Sequence, residues 1–190
     1  MKRPFARAAL AAVSTLVLAG CGATSPAKTA PACQPSHLKL SGIGRISSMT
    51  GEDGFQVLFG NSGPACTLSG YPTVSISDHS GVLPFRYQKG GGPYFEPSLP
   101  TSVTVPGYAP RLGVEFEIAK YRCDQGVART PTQLEFALPG GGPPITLDTV
   151  AWSGNARLDY CKGGSKDPGQ LVYVNHAQRI TVVPEYITTS

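Results

Sequence analysis

The sequence predicts an all-β domain, a two-sheet β-sandwich braced by disulfides and carried behind an export leader. Three observations support this. Apolar residues recur with a period of two through most of the chain, glycine and proline signals cut those runs short, and four cysteines fall within the same region.

Lys2, Arg3 and Arg7 open the chain, and an uncharged run from Ala8 to Gly20 follows, containing Leu10, Val13, Leu16, Val17 and Leu18. This is the layout of a secretory leader. A spanning helix needs roughly 20 apolar residues, and this run is too short. The stretch LAGCG places Leu18, Ala19 and Gly20 ahead of Cys21, which resembles the bacterial lipobox. There the cysteine is acylated and becomes the first mature residue; its thiolate is a strong nucleophile and so a natural attachment point. The alternative is an ordinary secretory cut nearby. Two acyl chains, at about 0.8 kcal/mol per buried CH2, give durable anchoring. Membrane lipid, through acylated Cys21, is thus the first expected partner, and the extracytoplasmic face of the cell membrane the expected location.

Residues 1–20 are accordingly assigned to the signal peptide, 21–32 to the lipidated N-terminus and a flexible tether, and 33–190 to the β domain. The tether, GATSPAKTAPAC up to Cys33, is small and polar with no aromatic to pack. From Cys21 onward the chain has 170 residues, enough for one domain with a real core. Losing Lys2, Arg3 and Arg7 takes the balance from 16 basic and 12 acidic residues to 13 and 12. With no basic cluster left, nucleic acid is not an expected partner.

With Cys21 given to lipid, Cys33, Cys66, Cys123 and Cys161 remain, an even set in an exported chain. Three pairings are open. The sequential one, Cys33 with Cys66 and Cys123 with Cys161, closes two moderate loops worth about 3 to 4 kcal/mol each and is favoured. A thiolate metal site normally has a close C-x-x-C pair, which is lacking here, so no metal is expected.

Strand by strand, Leu38 and Leu40 alternate with Lys39 and Ser41, and Phe55, Val57 and Phe59 share a face. Val74 and Ile76, then Val114, Phe116 and Ile118, then Leu134, Phe136 and Leu138 repeat the pattern. Shorter strands are expected at Val103–Val105, Ile145–Leu147, Leu171–Val174 and Ile180–Val183. Each buries one side. NSGPAC, SDHSG, KGGGPYF, VPGYAP and LPGGGPP separate them as turns. Many short strands with no helical run favour a sandwich, immunoglobulin-like in general architecture, over a partly closed barrel. The repeated GGGP at residues 90–93 and 140–143 has unlike flanks and reads as two loop tips rather than a duplication.

Chemistry-bearing motifs are weak. SHLK, Ser36 to Lys39, matches S-x-x-K, but the expected strand would point the two side chains to opposite faces. The glycine runs are followed by proline, not by the Lys and Ser or Thr of a phosphate loop. His37, His79 and His176 lack ligand spacing. Asp78 beside His79 reads as a surface turn, and Glu115 with Glu117 as the solvated side of a strand. Tyr71, Tyr87, Tyr94, Phe95, Tyr108 and Trp152 sit at turns, where they either plug the sandwich ends or form a contact patch. No catalytic, cofactor-binding or metal residue is nominated.

NSGPACTLSGYPTV, Asn61 to Val74, resembles the signature of the actinobacterial domain-of-unknown-function family 4232, found in exported proteins and lipoproteins of mycobacteria and their relatives. Cys33 and Leu38 match its early cysteine and leucine, and Asn61, Cys66, Leu68, Gly70, Tyr71 and Pro72 its central run. The likeness extends through Cys123 and Trp152 to the Cys161 region. It implies a small β-rich extracytoplasmic domain in which Cys33 and Cys66 form a staple, Gly70 a permissive turn and Pro72 a rigid strand start. No catalytic residue is carried over.

The expected function is therefore a non-catalytic binding or scaffold module of the envelope, with an envelope protein, glycan or lipid as ligand. The rivals are a carrier of an apolar envelope molecule, needing a large cavity between the sheets, and a hydrolase using Ser36 or His79, needing those groups to converge with a base.

Overall fold

The computed structural model describes residues 30–46, 51–91, 102–148 and 158–180. The leader, Cys21, most of the tether, Tyr94, Phe95 and Trp152 lie outside the described residues.

In chain order the strands are β1 (Leu38–Ile46), β2 (Glu52–Asn61), β3 (Cys66–Leu68), β4 (Thr73–Asp78), β5 (Gly81–Val82), β6 (Arg86–Lys89) and β7 (Val103–Val105). They continue with β8 (Ala109–Tyr121), β9 (Val127–Arg129), β10 (Gln133–Ala137), β11 (Ile145–Asp148), β12 (Tyr160–Cys161), β13 (Leu171–Val174) and β14 (Gln178–Arg179). The larger sheet runs β1-β2-β8-β13-β6, with β14 also on β8, and a second runs β11-β10-β4-β5. Two ribbons, β12-β9 and β3-β7, complete an all-β domain of several sheets.

Alternation in the sequence becomes pairing in space. Phe55, Val57 and Phe59 of β2 lie opposite Ile118, Phe116 and Val114 of β8, all buried. In the second sheet Val74 faces Phe136, and Ile76 faces Leu134, which faces Leu147 on its other side. The ring of Phe136 then sits 5.5 Å from that of Phe59 and 5.2 Å from that of Phe116. Tilted and edge-on aromatic contacts of this kind contribute beyond their buried area. They fill the space where the two larger sheets meet.

β8 is the spine, pairing with β2, β13 and β14. Its register with β2 breaks once: Phe59 pairs with Val114 but Asn61 with Ala109, so β8 bulges at residues 110–113. Glycine permits the close approach there. A Cβ on Gly60 would lie 2.0 Å from the Pro110 carbonyl oxygen, and one on Gly113 2.1 Å from that of Phe59. Beside the bulge, buried Asn61 donates through Nδ2 to the Pro64 and Pro106 carbonyls, both at 2.9 Å, and its Oδ1 accepts from the Gly63 N–H at 2.9 Å.

Disulfides join Cys33 to Cys66 and Cys123 to Cys161, the sequential pairing. Cys66 lies on β3 and Cys161 on β12, ribbon strands of three and two residues. Ribbons so short are marginal by themselves, and a covalent tie offsets that.

The structure differs from the strand expectations at the edges. β6 shows no apolar alternation, all four of its residues being exposed, and is recruited by parallel pairing with β13. Near the C-terminus a short strand, Gln178–Arg179, was not expected; Ile180 is buried just beyond it, and Thr181 to Val183 of the expected Ile180–Val183 strand lie outside the described residues. Ala30 to Ala32, placed in the tether by composition, run beside Thr67. Its N–H donates to the Pro31 carbonyl at 2.7 Å and its hydroxyl to that of Ala30 at 3.1 Å. Composition cannot register main-chain bonds to a distant strand. Gly140 to Gly142 all have φ between +86° and +109°, making the second GGGP the tip between β10 and β11.

Candidate functional site

The last residues of β8 leave the apolar core and border a cleft of about 220 Å³, lined by Asp53, Lys120, Arg122, Cys123, Gly126, Val127 and Asp159. Its position follows from strand phase. Val114, Phe116 and Ile118 point into the core, and Lys120, next in that period, points the same way and is only 1% exposed. Opposite it on β13 is Val172.

The Lys120 ammonium donates to the Tyr121 carbonyl at 2.7 Å and lies 4.0 Å from Cys161 Sγ. Burial pulls its pKa down to about 8, against the opposing pull of the Asp53, Asp159 and Asp167 carboxylates. Across the cleft Asp53 pairs with Arg122 at 3.3 Å. Asp159 is buried, and its Oδ1 has no hydrogen-bond partner. The cleft thus presents two groups of each sign.

The bridge forms part of the wall. Cys123 is half-exposed and Cys161 is 1% exposed. The Asp159 carbonyl oxygen lies 3.6 Å from Cys123 Sγ and 3.8 Å from Cys161 Sγ. Behind Cys161, a turn at Pro168–Gln170 closes the site. Asp167 caps it by accepting from the Gly169 N–H at 2.9 Å, and its other oxygen accepts from the Gln125 N–H at 3.4 Å. Gln170 Nε2 donates to the Cys161 carbonyl at 2.7 Å. A Cβ on Gly169 would come within 2.7 Å of Cys161 Sγ, so only glycine lets the turn close onto the sulfur.

The residues weighed from sequence fall elsewhere. Ser36 lies in the turn Pro35–His37 and Lys39 on β1, both exposed. His79 is exposed in the turn between β4 and β5. The neighbouring Asp78 carboxylate turns instead to Arg129, with which it makes two hydrogen bonds, and accepts from the Ser80 N–H at 2.7 Å. The Arg129 hydrogen bond holds the Asp78 carboxyl below its usual range.

Glu115 and Glu117 correct the expectation of a solvated face, because both are half-buried. Glu117 accepts from Gln56 Nε2 at 3.4 Å, Asn175 Nδ2 at 3.4 Å and Gln178 Nε2 at 3.2 Å. Burial first, and the Glu117 charge second, push the Glu115 carboxyl up to about 7. Of the turn aromatics, Tyr71 meets the His176 ring edge-on and lies under Lys89 Nζ at 5.9 Å. The Tyr87 hydroxyl accepts from the Ile76 N–H at 3.2 Å, while Tyr108 stands 75% exposed.

Lys120, Asp53 and Asp159 went unnoticed in the sequence. The signal for Lys120 was present: it occupies a core-phase position at the end of the alternating run VEFEIAK. Asp159 carried none, since it lies just before a strand of only two residues, β12.

Among the described residues no group of three or more His, Cys, Asp or Glu could hold a metal ion, and no helix is long and apolar enough to cross a membrane. Comparisons with protein-family models, curated proteins and solved structures find no match for this chain, so the chemistry is read from its own residues.

Proposed function

We propose that the chain is an exported lipoprotein, a non-catalytic binding module held on the extracytoplasmic face of the membrane by acylated Cys21, with the Lys120–Asp159 cleft as its ligand-contacting surface. One juxtaposition carries the binding reading: a buried ammonium with a single close oxygen acceptor and a buried carboxylate oxygen without a donor border the same cleft. Buried polar groups are ordinarily satisfied. A ligand that satisfies both offers an acceptor or anion to Lys120 and a donor or cation to Asp159. That describes a small zwitterionic or polyhydroxylated group.

The charged leader and LAGC run support export, as do two disulfides, which persist in oxidising compartments. The resemblance of Asn61 to Val74 to the family 4232 signature supports the same placement. An immunoglobulin-like sandwich is the finer fold reading, supported by Phe136 of one larger sheet packing on Phe59 and Phe116 of the other. Those rings occupy space an apolar cargo would need, which weighs against a carrier. Ser36 and His79 lie in separate turns, which weighs against a hydrolase built on them.

Titrating isotope-labelled protein with glycine and with glycerol tests the binding reading. Amide shifts at Asp53, Gly126 and Val127 that vanish in Asp159→Asn support it, and silence there with both probes rejects it. Cys21→Ala should move the protein from the membrane to the soluble fraction; continued membrane retention of a leader-free chain would refute the anchor.

A further inference from the structure

The two disulfides sit in chemically different places. Cys33–Cys66 belongs to the apolar core, and the polar neighbour of Cys66 Sγ is Asn61 Nδ2 at 3.8 Å, already committed to two carbonyls. Cys123–Cys161 borders the cleft, and the neighbour of Cys161 Sγ is an ammonium. Cys123 of this second bridge lines the opening, and Cys161 Sγ lies beside a buried cation.

We propose that Cys123–Cys161 is a thiol-exchange site, in which a small external thiolate entering the cleft attacks Cys123 Sγ and expels Cys161 as a thiolate neutralised by Lys120. A sulfur–sulfur bond forms between the incoming thiolate and Cys123 as the Cys123–Cys161 bond breaks, and its electron pair stays on Cys161 Sγ. A second equivalent of the same thiol then attacks the mixed disulfide, releasing the external disulfide and leaving both cysteines reduced. The small thiol is the reductant, oxidised as the bridge is reduced.

Three features direct the reaction to Cys123. It is half-exposed and lines the cleft, whereas Cys161 is 1% exposed and is backed by the Gly169 turn. The leaving group is the sulfur next to the ammonium, and a better-stabilised thiolate leaves faster. The ammonium itself gains: with one close carbonyl acceptor it is a buried cation short of partners, and a thiolate at that position supplies one. The Asp53, Asp159 and Asp167 charges oppose the burial that pulls the Lys120 pKa down to about 8.

The experiment exposes the folded full chain to millimolar reduced glutathione at neutral pH, quenches by alkylation and maps the peptides. The expected result is glutathione on Cys123, alkyl label on Cys161, and Cys33–Cys66 intact. Lys120→Met should slow adduct formation on the order of tenfold while the oxidised fold keeps its melting temperature or gains. Adduct on Cys161, opening of both bridges at one rate, or acceleration by urea in step with global unfolding would overturn the assignment in the unmodified protein alone. An unchanged rate in a folded Lys120→Met variant would remove Lys120 from it.

Discussion

Lys120 on β8 pairs directly with Val172 on β13, so a lysine occupies the side of the strand that its neighbours use for the core. An amine there pays for desolvation whenever it is charged.

Replacing it tests that cost. The folded-state pKa is lowered from 10.5 to about 8, so the folded protein binds the proton less tightly than the unfolded chain does. The Lys120 contribution to stability therefore rises between about pH 8 and 10.5 and is least favourable below 8. Lys120→Met should be more stable by about 1–2 kcal/mol at pH 6.5, less than the full shift implies because of local relaxation, and should lack the alkaline rise. Urea midpoints at the two ends of that range measure both effects.

Glu115 gives the opposite slope. Its carboxyl is raised from 4.5 to about 7, so the folded state holds a proton that the unfolded chain has released. Stability then falls as pH rises from about 4.5 to 7 and levels off above. Because the group is half-exposed, solvent screening reduces the effect to about 1 kcal/mol. Glu115→Gln should be more stable than wild type by about that amount at pH 8 and indistinguishable at pH 4; thermal melts at both values decide it.

Asn61 shows what the N-x-x-x-x-C part of the sequence does. Its side chain ties the loop after β2 to the one after β7 through three hydrogen bonds. Asn61→Ala should cost about 2–4 kcal/mol, since buried main-chain groups lose their partners. Asn61→Asp should also destabilise, because a carboxylate cannot donate to the Pro64 and Pro106 carbonyls. Chemical denaturation reads both losses directly.

Gly113 tests the β2–β8 bulge. A methyl group there meets the Phe59 carbonyl oxygen at 2.1 Å, a backbone atom that cannot rotate away. Gly113→Ala should destabilise by about 2 kcal/mol or more, whereas Gly126→Ala meets nothing within 4 Å and is strained only through its φ of +83°. Comparing the two separates crowding from backbone conformation.

The long strands were legible because burial on one face writes itself into every second residue: Phe55, Val57 and Phe59, then Val114, Phe116 and Ile118. β6, β9 and β12 were not, because strands of two to four residues carry no alternation: β6 forms on the edge offered by β13, and β9 and β12 form by pairing with each other. Glu115 and Glu117 alternate correctly, yet their half-burial among Gln56, Asn175 and Gln178 depends on three other strands or loops. A polar residue in a strand names its face and leaves open what covers that face.

By itself the sequence determined that this chain folds as β, because period two is a local property of neighbouring residues. The tertiary structure alone decided that Lys120, Cys123 and Asp159 share one cleft. Their meeting depends on β8, the loop after it and the segment entering β12 converging from positions up to 39 residues apart, between Lys120 and Asp159. Only the folded backbone sets distances over that range.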